Sequence, residues 1–386
     1  MNIVYFLSST NSSGGASKSF LSMLNGVLQE GVNPIIVVPD KQDLYLLLRK
    51  MGLEVLQVPY RVNVYPWKDT FRDYLLYLPR HIGRRALNCF SVYRTYKYLK
   101  KRKIDIIHTN VSVIDIGYRV AKKLNIPHIY HIREYIDLDF GLNYYPTKDS
   151  FIDQMKESKS YSICITKGIQ AHHKLSELKN SRVIYNPIGE NKEQISIHIG
   201  NYFLFAGRIE PAKGIMDLLQ GYLLSETNTP LYIAGGISDP NYYATIQSFI
   251  QEKHIEKRIT FLGQRSDIAL LMQKAKALIV PSRFEAFGRS MSEAMLNNCL
   301  VIGLNTGGTK EQFDNGLQLT GNEIGLRYNN TEELSECIKK ADFINEKEYT
   351  TIIKNANYTV NTLYSIDSHV EQVTKFYNDI LKEDTI

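Results

Sequence analysis

Cysteine is scarce. The 386-residue chain holds four, Cys89, Cys164, Cys299 and Cys337, with no CxxC pair among them. That argues against a disulfide framework or a zinc site and leaves reduced, mostly structural thiols. Long apolar runs are missing too. No stretch approaches the ~18 residues of a membrane-crossing helix, and the amino terminus, MNIVYFLSSTNSSGGAS, is too poor in apolar and basic residues for a secretory leader. A cytoplasmic protein is expected. No G-x-G-x-x-G follows a strand candidate, so dinucleotide binding has no support. No Asp-x-Asp directly adjoins one either.

Apolar residues at 44% and charged residues at 22% are the balance of a folded globular protein. The length points to two domains rather than one. The formal charge of +6 is unevenly spread: residues 1–190 carry 27 Lys and Arg against 16 Asp and Glu, the remainder 19 against 24. The basic side belongs to the first half.

Both halves follow one grammar. NIVYFLS, NPIIVVP, LEVLQV, IDIIHTN, IPHIYHI, YSICIT and RVIYNP are strand candidates of the first half; YFLFAG, PLYIAGG, RITFLG, ALIVPS, CLVIGL and IGLRY are those of the second. Helix-length amphipathic segments, such as 16–30 and 114–124, separate them. Short buried runs alternating with helices predict parallel sheets covered on both faces, hence two doubly wound, Rossmann-like α/β domains. The expected division is an amino-terminal domain over 1–190, a second over 191–364, and a closing helix over 365–386, with 189–201 as the linker. In the last segment Val370, Val373, Phe376, Tyr377 and Ile380 share one face.

In such sheets ligands gather at the carboxyl ends of strands, so residues just after strands carry the functional signal. After the first strand, Gly14 and Gly15 open a helix, where free N–H groups favour an anion. His131 ends the fifth strand, placed to donate a hydrogen bond or move a proton; His108 and His128 read as structural. In FAGRIEPAKG, Arg208 follows a strand and Lys213 stands at a helix start, two cations suited to a diphosphate. PSRFEAFGRSMSEAM puts Glu285 on a loop and Glu293 on a helix that begins near Arg289. NTGGTKEQ adds a turn of Gly307, Gly308 and Thr309 after the next strand. Each feature alone also fits an ordinary turn or a solvated side chain.

In order, SSGGAS, HIREY, VIYNPIG, FAGRIEPAKG, ITFLG, PSRFEAFGRSMSEAM and NTGGTKEQ resemble the retaining glycosyltransferases of family 4, which have the GT-B fold of two domains facing across a cleft. The resemblance spans nearly the whole chain and is strongest from Phe203 to Glu311. It implies that Arg208 and Lys213 hold the diphosphate of a nucleoside-diphosphate sugar and neutralise the charge that develops there. Glu293 would take the ribose hydroxyls. Glu285, with the backbone of Phe287, Gly288 and Arg289, would take the transferred sugar, approached by His131 from the first domain. Gly15, beside Gly14, would let the first-domain loop close over the phosphates, and Gly308 with Thr309 would border the same donor site. The implied reaction retains anomeric configuration and needs no metal or other cofactor; a UDP-sugar is the favoured donor. Two departures stand out: no acidic residue follows Gly14-Gly15-Ala16, and HIRE replaces a His-Asp.

Residues 80–103 hold nine Lys and Arg and no acidic residue, with Leu87, Phe90, Tyr93, Tyr96 and Leu99 interleaved. Such a helix suits an anionic membrane surface or a crossover helix packed on the sheet; the composition favours the first. No RNA motif accompanies it, so nucleic acid is not expected. The leading expectation is therefore a hexosyl- or N-acetylhexosaminyl-transferase acting on a glycan or lipid-linked acceptor in bacterial surface-polysaccharide assembly, peripheral on the inner face of the membrane. A nucleotide-sugar epimerase or phosphorylase on a similar scaffold and a catalytically silent partner subunit are the alternatives.

Overall fold

The computed structural model describes residues 1–12, 14–66, 71–189 and 196–383, so part of the expected linker and the 190/191 boundary lie outside the described residues. The chain divides into two compact units: Met1–Pro187 with Ile366–Ile386, and Ile188–Ser365.

The first unit contains β1 (Asn2–Phe6), β2 (Asn33–Val38), β3 (Glu54–Gln57), β4 (Val64–Pro66), β5 (Ile106–Thr109), β6 (His128–Ile132), β7 (Leu142–Tyr144), β8 (Ser160–Cys164) and β9 (Ser181–Val183). The second contains β10 (Phe203–Ala206), β11 (Leu231–Ala234), β12 (Ile259–Gly263), β13 (Ala277–Val280), β14 (Leu300–Leu304) and β15 (Leu326–Tyr328). The two main sheets run β3-β2-β1-β5-β6-β8-β9 and β12-β11-β10-β13-β14-β15, with every pairing parallel. Each of these strands overlaps one of the apolar runs read from the sequence, β8 and β9 starting one residue earlier. Strands covered on both faces need no polar alternation, and β5, β6, β8 and β13 are buried at every residue.

The antiparallel pair β4 and β7, in register Val64 to Tyr144, was not expected. Each strand has three residues, too few for a periodic signal.

The carboxyl-terminal helix Ile366–Glu383 completes the first unit. Its Val370, Val373, Phe376, Tyr377 and Ile380 share a core with Tyr5, Phe20, Met23 and Leu24. The basic segment begins on the helix Phe71–Leu99, and its apolar residues divide between two sides of that helix. Leu99 enters the core beside Val92, Val4 and Phe6, whereas Phe90 and Tyr93 are exposed. Nine residues at about 100° each put Leu99 on the side opposite Phe90. Lys100, Lys101, Arg102 and Lys103 follow the helix rather than lying on it.

Sequence order reverses between β1 and β5 in the first sheet and between β10 and β13 in the second. In open parallel sheets that switch point is where loops part and leave a crevice.

Candidate functional site

Arg208 and Lys213 leave β10, and Glu285 leaves β13, so all three stand at the switch point of the second sheet. A single turn, Pro211–Lys213, carries the lysine back over the sheet edge. Gly214 then takes φ +69° before the helix Ile215–Leu224, and an added Cβ there would come within 2.2 Å of the Pro281 carbonyl oxygen. Only glycine permits both the left-handed backbone and this approach. The β10 and β13 exits are thereby pressed together, and Lys213 Nζ meets Glu285 Oε1 at 2.6 Å, with 23% and 16% of the two side chains exposed. Arg208 is held differently: 60% exposed, it pairs with Glu210 at 2.9 Å.

The Glu285 loop is braced by the glycine turn after β14. Gly308 N–H donates to the Glu285 carbonyl at 2.7 Å, and a Cβ on Gly308 would meet the Phe287 backbone at 2.5–2.6 Å. The buried Gln312 donates to the Phe287 and Gly288 carbonyls and accepts from Ser292 Oγ at 2.5 Å. Loop, turn and the helix Arg289–Leu296 are therefore one hydrogen-bonded body. Phe287 is buried, its ring edge-on to Tyr364 at 5.3 Å. Thr309 is buried, and its hydroxyl has no hydrogen-bond partner among the described residues. Glu293 faces away from the buried Met291 and pairs with Arg289 at 3.1 Å. The arrangement offers an amine and an exposed guanidinium at a helix start, with two carboxylates set to receive hydroxyl groups.

The other candidate residues belong to the first unit. Gly14 caps the helix Gly15–Gln29 without a side-chain bond. The preceding loop is tied down where Thr10 N–H donates to Asp40 and Leu44 N–H to the Thr10 carbonyl; Ser13 lies outside the described residues. His131 is fully buried. Its Nδ1 lies 3.2 Å from His108 Nε2 and 3.3 Å from Arg133 Nη2, while its Nε2 has no partner among the described residues. Burial, then the Arg133 charge, hold its pKa well below the ordinary histidine value. It is thus a neutral hydrogen-bonding group rather than a cation. Arg133 is fixed by Asn110 and Asn186, and burial raises Glu134 to about 7. These buried partners explain what HIRE supplies: a guanidinium that orients the His131 ring.

His108 continues the network. Its Nδ1 lies 2.6 Å from Tyr377 Oη on the carboxyl-terminal helix, which lies 3.1 Å from Tyr5 Oη. His128 is separate, sharing a 2.7 Å bond with Thr109, and burial pushes its pKa down to about 3. Below the ordinary histidine pKa the unfolded chain binds a proton that folded His128 refuses. Stability therefore falls as pH drops below about 6.5, by about 1.4 kcal/mol per pH unit from this residue. Glu134 acts oppositely, losing stability as pH rises from the usual carboxylate range toward 7. Urea unfolding at pH 6.5 and 5.5 should show His128→Gln with the acid loss reduced by about 1 kcal/mol, since the unfolded histidine is already half-protonated at pH 6.5; an unchanged loss would mean that His128 is protonated in the fold.

One Asp-x-Asp does occur, at Asp137 and Asp139, and its carboxylates are engaged. Asp139 accepts from the N–H groups of Tyr135 and Ile136 at 2.9 and 2.7 Å. Asp137 meets His172 at 2.7 Å and Lys148 at 3.3 Å. Among the described residues no three His, Cys, Asp or Glu side chains are grouped to hold a metal ion, and no helix is long and apolar enough to cross a membrane. The bracing roles of Gln312, Ser292, Glu210 and the Pro281 carbonyl were not legible from spacing, since they depend on which backbones touch.

Two doubly wound parallel sheets in one chain are the architecture of the GT-B fold of glycosyltransferases. Anabaena HepE, solved in complex with UDP and glucose, has this fold: the TM-score is 0.76 at 18% identity, over 98% of this chain and 100% of that one. Residues 188–358, most of the second unit, match the family described as glycosyl transferases group 1. Similar sequences include an uncharacterized glycosyltransferase of Methanocaldococcus jannaschii, 29% identical over 295 residues, covering 73% of this chain and 77% of that protein. The Escherichia coli UDP-Gal:alpha-D-GlcNAc-diphosphoundecaprenol alpha-1,3-galactosyltransferase is 23% identical over 403 residues, covering 95% and 97%. The family resemblance read from the motifs is borne out.

Proposed function

We propose that the chain transfers a hexose or N-acetylhexosamine, with retention of configuration and without a metal, from a nucleoside-diphosphate sugar to a hydroxyl of a glycan or lipid-linked acceptor in bacterial surface-polysaccharide assembly. The observation that carries this reading is the 2.6 Å contact of Lys213 with Glu285 at the switch point of the second sheet. An entering diphosphate competes with Glu285 for the amine, and the released carboxylate turns to the sugar hydroxyls. Arg208, exposed and on a loop, closes on the same phosphates. Glu293 receives the ribose, and His131 gives the sugar a neutral hydrogen bond through Nε2. A UDP-sugar is favoured; the UDP and glucose in the HepE structure support that choice. The diphosphoundecaprenol named for the Escherichia coli relative supports a lipid-linked acceptor.

The test is a thermal-shift and turnover screen over UDP-, GDP- and ADP-sugars, followed by acceptor trials and NMR of the product's anomeric centre. A sugar altered without any acceptor would identify an epimerase. Nucleotide binding with no turnover on any acceptor would identify a silent partner subunit.

Peripheral attachment to the inner face of the membrane is part of the proposal. The helix Phe71–Leu99 exposes Phe71, Leu75, Leu78, Ile82, Phe90 and Tyr93 among its cations, which supports adsorption to anionic lipid. Vesicles rich in anionic lipid should carry the protein on flotation at low salt and release it at high salt, while zwitterionic vesicles should not. Equal flotation with both would refute the electrostatic part.

A further inference from the structure

The helix Phe71–Leu99 also walls a cavity of about 300 Å³ within the first unit. The lining includes Arg84, Arg85, Arg119, Tyr65, His81 and Tyr145, with Asp115 as its one carboxylate among the described residues. Arg119 lies 3.8 Å from Asp115, and the Arg85 charge acts on that carboxyl more weakly. Arg84 and Arg85 face rings instead: the Arg84 guanidinium sits 4.8 Å from the Tyr65 centroid, and that of Arg85 lies 6.0 Å from Tyr145, whose hydroxyl it reaches at 3.3 Å. Among the described residues neither is ion-paired with a carboxylate. Ring contacts fix the guanidinium planes without cancelling their charge.

His81 supplies the independent sign of a ligand. It is 6% exposed, it lines the cavity, and neither ring nitrogen has a hydrogen-bond partner among the described residues. Its ring is held by aromatic contacts with Tyr145 and Tyr77. Buried polar atoms are seldom left unpaired, and burial together with Arg85 and Arg84 keeps this histidine below its ordinary pKa. A neutral imidazole lining the same cavity as two guanidinium groups can donate to an oxyanion that the arginines hold by charge.

Beside the cavity the same helix turns apolar. Phe71, Leu75, Leu78 and Ile82 recur at helical spacing and are 84%, 66%, 62% and 58% exposed. Ile82 is the neighbour of His81, so the row runs up to the arginine-lined wall. An exposed row of large apolar side chains ending at a cationic cavity has the polarity of an amphiphile.

We propose that the cavity binds the phosphate or diphosphate head of an amphiphilic acceptor, whose hydrocarbon chain lies along Phe71, Leu75, Leu78 and Ile82. Naming this molecule the acceptor rests on the transferase reading above; the binding site does not. It assigns Arg84 and Arg85 to the head group and leaves the donor residues of the second unit untouched.

Calorimetry on the full chain, below the micelle concentration, tests it with dodecyl phosphate, inorganic phosphate and dodecyl maltoside. Dodecyl phosphate should fill one site per chain at least tenfold more tightly than inorganic phosphate, and dodecyl maltoside should not compete. The double variant Arg84→Gln, Arg85→Gln should lose at least tenfold for dodecyl phosphate. Leu78→Ser with Ile82→Ser should lose about fivefold for it and leave inorganic phosphate unchanged. Equal affinity for the two phosphates would overturn the chain-binding row and leave a free-phosphate site; unchanged binding in the arginine variant, or competition by the maltoside, would overturn the head-group site. UDP binding, measured on every variant, should match the wild type and certifies folding. If UDP binds to none of them while dodecyl phosphate behaves as stated, the donor reading fails and this one stands.

Discussion

Lys213→Ala is expected to lower kcat for sugar transfer about a thousandfold at saturating donor, with a much smaller loss of UDP affinity. In the proposed reaction negative charge builds on the diphosphate as the glycosidic bond breaks, and a fixed cation beside it is stronger in the transition state than in the ground state. Removing one such group typically costs 10²–10³ in rate, about 4 kcal/mol at the upper end. Lys213 belongs at that end because its amine is largely withdrawn from solvent and held by Glu285. Arg208, 60% exposed and among the described residues restrained by Glu210 alone, should cost nearer a hundredfold. A stranded Glu285 carboxylate could mimic the loss, so the cycle with Glu285→Gln is needed: if the double variant recovers the rate, the defect is electrostatic frustration at Glu285 and not lost stabilisation of the leaving group. Steady-state transfer decides it, and retention of more than a tenth of wild-type kcat by Lys213→Ala would remove the phosphate assignment.

Gly308→Ala should destabilise the second unit by about 3 kcal/mol, the upper range of overpacking, and lower its melting temperature by roughly 6–12 °C. The new methyl would meet the Phe287 carbonyl oxygen at 2.5 Å and the Phe287 carbonyl carbon and Cα at 2.6 Å. These are backbone atoms, and no rotamer change removes them. Either the helix Gly307–Thr320 backs away or the Glu285 loop is pushed toward the position of the sugar, and the Gly308 to Glu285 hydrogen bond is lost in both cases. Displacements of an ångström at a reacting centre cost about a hundredfold, so donor turnover should fall along with stability. Melting curves and donor kinetics on one preparation check both; a variant with wild-type melting temperature and KM would mean that the loop and turn do not support each other.

The sequence was a good guide to the two sheets because their strands are covered on both faces and stand out as short apolar runs between helices. It gave no sign of β4 and β7, whose three-residue strands include Pro66 and Asn143. The site divides in the same way. Arg208, Lys213 and Glu285 could be named because a charged residue in the loop after a buried strand is conspicuous, whereas Glu293, on the helix beyond, was named through the family resemblance; Lys213 and Glu285 do meet. That Gln312 would hold two carbonyls of the Glu285 loop, or that Arg133 would lie buried against Asn110 and Asn186, depends on distances across the chain that no local pattern encodes. The basic helix follows the same rule: composition counts apolar residues, but only their angle about the axis decides that Leu99 is core and Phe90 is surface.

The helix Ile366–Glu383 also sets an order of assembly. The second unit, Ile188–Ser365, is contiguous and needs no residue of the last helix for its core. The first unit, although begun earlier, waits for the side chains of Val370, Val373, Phe376 and Tyr377 to cover Tyr5, Phe20 and Met23, and Tyr377 must arrive before His108 gains its hydroxyl partner. A domain made first is completed last, against the usual order of co-translational folding. A chain interrupted before residue 366 would carry an intact second unit beside an open apolar core, recognisable to quality control by its first half.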